Sequence, residues 1–313
     1  MTEHTTGSIT LLLNPVAGRG RAARRLAVIV RFLERVNTPF EILRSEGPGH
    51  MTELVRSLAE KHRQGTLPVV VGGDGTLNEV INGLPPSSPA LGIIPAGTCN
   101  DTAANLGIPA SAEDACRNLF AGSPRRLDLV DAGGRLFAGI GGAGIDSEVT
   151  MRANRMRLPF PGQAVYTLAT LAALTSFQPY RFTLTSDEWA YRGLVMFVGI
   201  ANSPSYGGGM RLSPHSDMSD GRFEVCIVES MGRLELLRNF PRIFAGTHLA
   251  HPKVRILTAR RVKMESHRPV PFCLDGECHT SLPIEVNLVP SALSVIAPSL
   301  PASSGGTHGS RSS

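Results

Sequence analysis

The sequence predicts an α/β domain organised on a parallel sheet, followed by a second, mostly β domain. Three observations carry this. Through the first third, short apolar runs of strand length alternate with helical patterns, the order that joins parallel strands by helices. After Arg125 the texture changes to β-rich runs separated by Gly, Pro, Ser and Asp turns. The chain's 313 residues also exceed what one small core organises.

The elements follow in order. Ile9 to Leu13, Phe40 to Leu43, Val69 to Val71 and Leu91 to Ile94 read as buried strands. Between the first two, Leu26, Ile29, Val30, Leu33 and Val36 recur at helical spacing over Arg21 to Val36. Arg21, Arg24, Arg31 and Arg35 share its other side, as a solvated surface or as a face that docks on a membrane. In the second domain the expected strands are Leu136 to Ile140, Arg181 to Thr185, Leu194 to Ile200, Arg222 to Val228 and Val254 to Leu257. Helices interrupt them at Gln163 to Ser176 and near Leu234 to Phe244, and the Ser-, Gly- and Pro-rich tail after Pro298 reads as disordered.

Composition narrows the function classes. A formal charge of +5 suits an anionic membrane, a phosphorylated substrate or nucleic acid, yet no recognition helix, zinc finger or aromatic RNA motif accompanies it, so no nucleic-acid partner is expected. Five cysteines without a CxxC pair point to neither a disulfide framework nor a zinc site, and fit a reducing cytoplasm. The start of the chain lacks the basic region and cleavage site of a signal peptide. The longest nearly apolar stretch, Val165 to Phe177, is shorter than the roughly 20 residues that span a bilayer.

Chemistry concentrates in three glycine-bearing loops at expected strand ends. In Val69 to Asn82, an apolar strand runs into Gly72, Gly73, Asp74, Gly75 and Thr76 and then into a helix. Glycines admit a close backbone approach, and the free amides of a helix start face negative oxygen. With Asp74 in the turn and no Walker lysine, a cation must lie between carboxylate and phosphate, which points to a magnesium-bridged nucleotide; a plain tight loop is the alternative. Asn14 to Gly20 (NPVAGRG) and Pro95 to Asp101 (PAGTCND) follow neighbouring strands, so the three loops converge on one crevice. Asp101 would share hydrated magnesium with Asp74 or simply favour a helix N-terminus. Two Asp-Gly segments, Asp217 to Arg222 and Leu274 to Glu277, read as turns, and Glu277 is suited to accept a proton from an attacking hydroxyl.

The ordered series NPVAGRG, GGDGTLNEVINGL, GTCND, a strand ending Leu127 to Val130, GGGMRLSPHSDMSDGRFEV and LDGE resembles the diacylglycerol kinase catalytic-domain family, especially its soluble bacterial lipid kinases. The match runs to about Ala297, and although GGDGT alone is shared with NAD kinases and more loosely with phosphofructokinases, the full order is far more specific. The resemblance implies a three-layer nucleotide-binding α/β domain over residues 7–127, completed by a returning segment near 290–298. It also implies a β-sandwich lipid-substrate domain over 128–289 and a tail over 299–313.

It further implies that Gly72, Gly73, Asp74, Gly75, Thr76, Leu77 and Asn78 cradle the phosphates of ATP, with Asn14, Ser45 and Thr98 also at the nucleotide. Asp74, Asp101 and Asp128 would organise catalytic Mg²⁺ through water, and Glu277 would be the general base. Asp220, with main-chain oxygens of Asp217 and Arg222, would hold a structural magnesium. The implied protein is cytoplasmic, visits the inner face of the membrane, acts on a diacylglycerol-like lipid and is compatible with a homodimer. Ser45, Thr102 and Ala104 depart from the family's usual threonine, aromatic and basic residue. An NAD kinase and a non-catalytic nucleotide- and lipid-binding regulator are the rival readings.

Overall fold

The computed structural model describes residues 7–61, 66–85, 88–155, 169, 172–173, 177–274 and 277–299. Four strands, β1 (Ser8–Leu13), β2 (Phe40–Arg44), β3 (Thr66–Gly72) and β4 (Gly92–Pro95), form a parallel sheet in the order β2-β1-β3-β4. The helices are α1 (Ala17–Arg35), α2 (His50–Lys61), α3 (Asp74–Ile81), α4 (Asp101–Asn105) and α5 (Ala112–Ala121).

Strand alternation explains the layering. Side chains two apart share a face, so Ile9, Leu11, Leu13, Val69 and Val71 pack against Ile29 and Leu33 of α1 and Ala115 and Leu119 of α5. Leu12, Val70 and Ile93 face the other way, onto Met51 and Val55 of α2 and Leu77 and Val80 of α3. Because both faces are covered, these strands read in sequence as continuous apolar runs, not alternating ones.

The second domain contains β5 (Ser123–Ala132), β6 (Leu136–Phe137), β7 (Ile140–Gly144), α6 (Ile145–Arg155), β8 (Tyr180–Ser186), β9 (Ala190–Ala201) and β10 (Phe223–Glu229). After these come α7 (Arg233–Asn239), α8 (Arg242–Ala245), β11 (Val254–Ala259), β12 (Arg261–Ser266), β13 (Pro271–Leu274), β14 (Glu277–Ser281) and β15 (Ile284–Ala297). Strands β5 to β15 make one eleven-stranded sheet that closes over a common core. The device is β9: its residues 190–195 pair with β8, whereas 197–201 lie between β7 and β10. Phe182, Leu184, Val262 and Met264 from one layer thus meet Val198, Val225, Ile227 and Phe272 from the other. Among the described residues no helix is long and apolar enough to cross a membrane.

Strand β15 joins the domains. Its first part pairs with β12 and β5; beyond an irregular stretch containing Ser291 at φ +50°, Leu293–Ala297 continue along the start of β5. There the Leu91 amide donates to the Ser294 carbonyl at 2.8 Å and the Ile296 amide to the Leu91 carbonyl at 2.9 Å. Leu293, Val295 and Ala297 enter the core of the first domain.

Three expectations need correction. The run Leu136 to Ile140 is two strands, because Leu136 and Phe137 pair with β5 while Ile140 onward pairs with β9. The helix over Leu234 to Phe244 breaks into α7 and α8 at Pro241, which has no amide to continue the ladder. Cys273 and Cys278, expected to be unpaired, form a disulfide because the β13–β14 hairpin makes them cross-strand neighbours. Most of the helix over Gln163 to Ser176 and nearly all of the tail lie outside the described residues.

Leu91 is fully buried where β4 meets β15. Leu91→Ala is expected to lower the unfolding free energy in urea by about 2–5 kcal/mol, as for other buried leucines.

Candidate active site

The three loops meet at the carboxyl end of the parallel sheet, and glycine makes the meeting possible. A side-chain carbon built on Gly73 would stand 2.7 Å from the Cα of Gly97, closer than real carbons approach. The Ala96 amide donates to the Gly72 carbonyl at 2.7 Å, so the loops are also hydrogen-bonded back to back. In the first loop, Gly18, Arg19 and Gly20 are all left-handed, with φ of 58°, 58° and 78°, and regular helix begins at Arg21. Arg21 donates to the Gly97 carbonyl at 2.8 Å, and Arg25 reaches the carbonyls of Pro95 and Ala110. Two arginines of α1 thereby pin the third loop.

Asn14 at the end of β1 donates to the Thr76 hydroxyl at 3.0 Å, and the Ser45 amide donates to the Leu13 carbonyl at 3.0 Å. Both residues therefore stand on the loop edge. The first helical hydrogen bond of α3 runs from the Leu77 amide to the Gly73 carbonyl, which leaves the amides of Asp74, Gly75 and Thr76 outside the helix's own ladder. Leu77 is buried in the core, and the Asn78 amide group donates to the Leu136 carbonyl at 3.2 Å, so these two side chains brace the helix. Thr98 is exposed at the tip of its loop.

Asp74 and Asp101 come together across this edge. Asp74 accepts the Thr102 amide at 3.1 Å, a main-chain contact indifferent to the unusual side chain at 102. Asp101 accepts the Gly208 amide on both oxygens at 3.1 Å. Burial pushes the Asp101 carboxyl above the ordinary carboxylate range, the amides of residues 207–209 pull it down, and neighbouring Asp74 pushes it up. Partial desolvation at the loop, then Asp101 and Asp74, raise the Cys99 thiol to about 11. Asp74 and Asp101 thus stand on either side of the Asp101–Thr102 peptide with backbone amides as their hydrogen-bond partners, and carboxylate oxygen is the donor chemistry a hydrated magnesium ion takes.

Asp128 has a different setting. It is 2% exposed on β5, and its two oxygens accept the amides of Gly221 and Ser291, each at 2.7 Å. Its carboxylate thus fastens both the Asp217–Arg222 turn and the irregular point of β15. Within that turn Asp217 accepts the Ser219 amide at 3.0 Å and Asp220 accepts the Arg222 amide at 3.0 Å. Among the described residues, no group of three or more His, Cys, Asp or Glu stands together to hold a metal.

Glu277 opens β14 opposite Leu274, with residues 275–276 and the Glu277 side chain outside what is described. A chain of contacts links its hairpin to Asp101. The loop carrying Gly208 includes Tyr206, whose hydroxyl bonds Asp146 of α6 at 3.4 Å, and Ser147 of α6 donates to the Pro271 carbonyl of β13 at 2.7 Å. Burial raises Asp146 to about 6 against the lowering effect of Tyr206. Asn105 of α4 also bridges the domains: it donates to the Ser205 carbonyl at 2.9 Å and accepts the Ser205 hydroxyl at 2.8 Å. Tyr206, Asn105 and Ser205 carry no sequence signal, since their meaning lies in contacts 60 and 100 residues apart.

Glycine-packed loops at the carboxyl end of a parallel sheet, with Asp74 and Asp101 at their edge and the Gly208 loop of the β domain hydrogen-bonded to Asp101, are the architecture that comparison with known proteins identifies. Residues 8–132 match the diacylglycerol kinase catalytic domain and residues 139–297 the YegS C-terminal NAD kinase beta sandwich-like domain. The chain belongs to the diacylglycerol kinase family of lipid kinases. It is 35% identical to a diacylglycerol kinase of Mycobacterium tuberculosis, over 95% of this chain and 97% of the relative. It is 31% identical to one from Bacillus subtilis, over 89% and 92%. A solved diacylglycerol kinase structure from Bacillus anthracis shares the fold, with a TM-score of 0.72 at 22% identity, covering 94% of this chain and 98% of that one.

Two stability measurements check this geometry. Gly73→Ala is expected to lower stability by about 1–3 kcal/mol through overpacking against Gly97, whereas Gly75→Ala, with open space around it, is not. Asp128→Asn replaces a charged acceptor of two amides with a neutral amide group and should cost about 2–4 kcal/mol by chemical unfolding; half-buried Asp74→Asn should cost less than half of that.

Proposed function

We infer that this protein is an ATP-dependent kinase that transfers the γ-phosphoryl group to a lipid hydroxyl, with diacylglycerol as acceptor and phosphatidic acid as product. The observation that carries the reading is that Asp74, bonded to the amide of Thr102, and Asp101, bonded to the amide of Gly208, stand together at the edge of a glycine-packed loop cluster. Two carboxylates beside a phosphate cradle are tolerable only with a cation between them. Family membership supplies the acceptor class.

The free amides at the start of α3 and the hydroxyl of Thr76 would receive phosphate oxygens, with Asn14 and Arg21 keeping the loops in register. Asp74 and Asp101 would hold Mg²⁺ through water, and that ion, when bound, offsets charge on the β- and γ-phosphates. Asp128 would act by fixing the Asp217–Arg222 turn, whose Asp220 carboxylate and main-chain oxygens of Asp217 and Arg222 would hold a second, structural Mg²⁺. In the chemical step the lipid oxygen forms a bond to the γ-phosphorus as the bond to the bridging oxygen of ADP breaks. The hydroxyl proton passes to the Glu277 carboxylate. Such transfer gains mainly from positioning and electrostatics, which suits a cleft held by backbone amides. The acceptor would be reached at the inner face of the membrane by a cytoplasmic protein.

Labelled γ-phosphate from ATP, supplied with magnesium to diacylglycerol in mixed micelles and in parallel to NAD, tests the assignment. Labelled phosphatidic acid is expected, with turnover at least ~100-fold lower in Asp74→Ala although that variant remains folded at the assay temperature. Label on NAD, or on no acceptor, would overturn it. Glu277→Gln is expected to lower kcat by about 10²–10⁴-fold while leaving ATP affinity intact; equal losses in kcat and ATP affinity would remove Glu277 from the proton-accepting role.

A further inference from the structure

Between β10 and β11 the chain turns outward an apolar surface that the folded domain leaves uncovered. Leu234 is 83% exposed, Leu237 44% and Phe244 45%, all within twelve residues of one another on α7 and α8. Large apolar side chains this exposed and this close together mark a binding surface. The helices are nevertheless anchored: Leu236 packs onto the core of the β domain, Ile243 onto a satellite cluster, and Phe240 meets Phe244 edge-on at 6.2 Å. The outward side chains are therefore held out on a fixed support.

Charge identifies the occupant. Arg233, Arg238 and Arg242 are exposed among these apolar groups. Glu235, the sole carboxylate between residues 233 and 245, is neutralised by Lys253 at 2.9 Å and accepts the Gly232 amide at 3.2 Å. An open groove of about 710 Å³ runs beside the ridge, between Leu234, Arg238, Arg242 and His251. Apolar projections ringed by arginines, with the single carboxylate Glu235 paired to Lys253, match the boundary between acyl chains and anionic headgroups.

Position links the surface to the site. The Arg211 amide donates to the Ile243 carbonyl at 3.0 Å, and a side-chain carbon on Gly246 would meet Pro214 at 2.7 Å. Residues 203–214 thus carry α8 at one end and, through Gly208, hold Asp101 at the other. We propose that α7 and α8 are the membrane-docking surface, inserting Leu234, Leu237 and Phe244 among acyl chains while Arg233, Arg238 and Arg242 engage anionic headgroups. This deepens the lipid-kinase reading and rests on it for its purpose; the binding test does not depend on it.

Co-sedimentation of the full chain with vesicles of phosphatidylcholine alone, or mixed with phosphatidylglycerol, tests the surface. The wild type is expected to partition onto the mixed vesicles, more weakly as salt rises. Leu234→Asp with Phe244→Asp should lose at least tenfold in partitioning, yet phosphorylate a short-chain diacylglycerol dispersed without a bilayer as well as the wild type. Because new charges can perturb folding, a second variant replaces Arg233, Arg238 and Arg242 by Gln; each arginine near a charged surface is worth roughly fivefold, so about 100-fold should be lost on mixed vesicles and little on neutral ones. Wild-type partitioning that survives both variants would overturn the proposal. So would variants that bind vesicles normally but dissociate a dimer, which would make the surface a contact between copies. Vesicle binding by a wild type that phosphorylates no lipid would leave the docking surface standing and reject the kinase reading.

Discussion

No side chain fits between Gly73 and Gly97, and the crevice depends on that close approach. Two loops from adjacent parallel strands can lie back to back only because both lack a Cβ at the contact, and the hydrogen bond from Ala96 to Gly72 then fixes their spacing. Arg21 and Arg25 of α1 hold the outer loop from its far side. This packing brings Asp74, which accepts the Thr102 amide, beside Asp101, whose carboxyl is raised chiefly by burial and further by Asp74.

The first domain was legible because its signals are local. Continuous apolar strands, a periodic helix and glycine turns at strand ends each read within a dozen residues, and the topology of an open parallel sheet then puts the loops at one edge. The arginines of α1 were legible only as a pattern. Arg21 and Arg25 serve neighbouring loops, and Arg35 pairs with Glu113 at 3.2 Å, so a stripe that reads as free surface is partly structural.

The second domain hid more, since its meaning lies in long-range pairing. Nothing in the run Ala190–Ala201 says that one strand passes through both layers, and nothing near Asp128 says that its partners are Gly221 and Ser291. The disulfide of Cys273 and Cys278 was missed for a similar reason: five residues apart, they become neighbours only once a tight hairpin is formed. These features tie the β domain to the loop edge and place the 203–214 loop over Asp101. Fold class is a matter of patterns; the joining of the two domains is a matter of particular hydrogen bonds.

If Asp74 and Asp101 act as proposed, nucleotide binding depends on a divalent cation. Calorimetric titration of the protein with ATP, with magnesium and then with a chelator, tests it most directly. ATP affinity should fall at least about tenfold without magnesium, a coupling of about 1.4 kcal/mol, and Asp74→Asn should shrink that gap by easing the repulsion. Equal affinity with and without the ion would contradict the account.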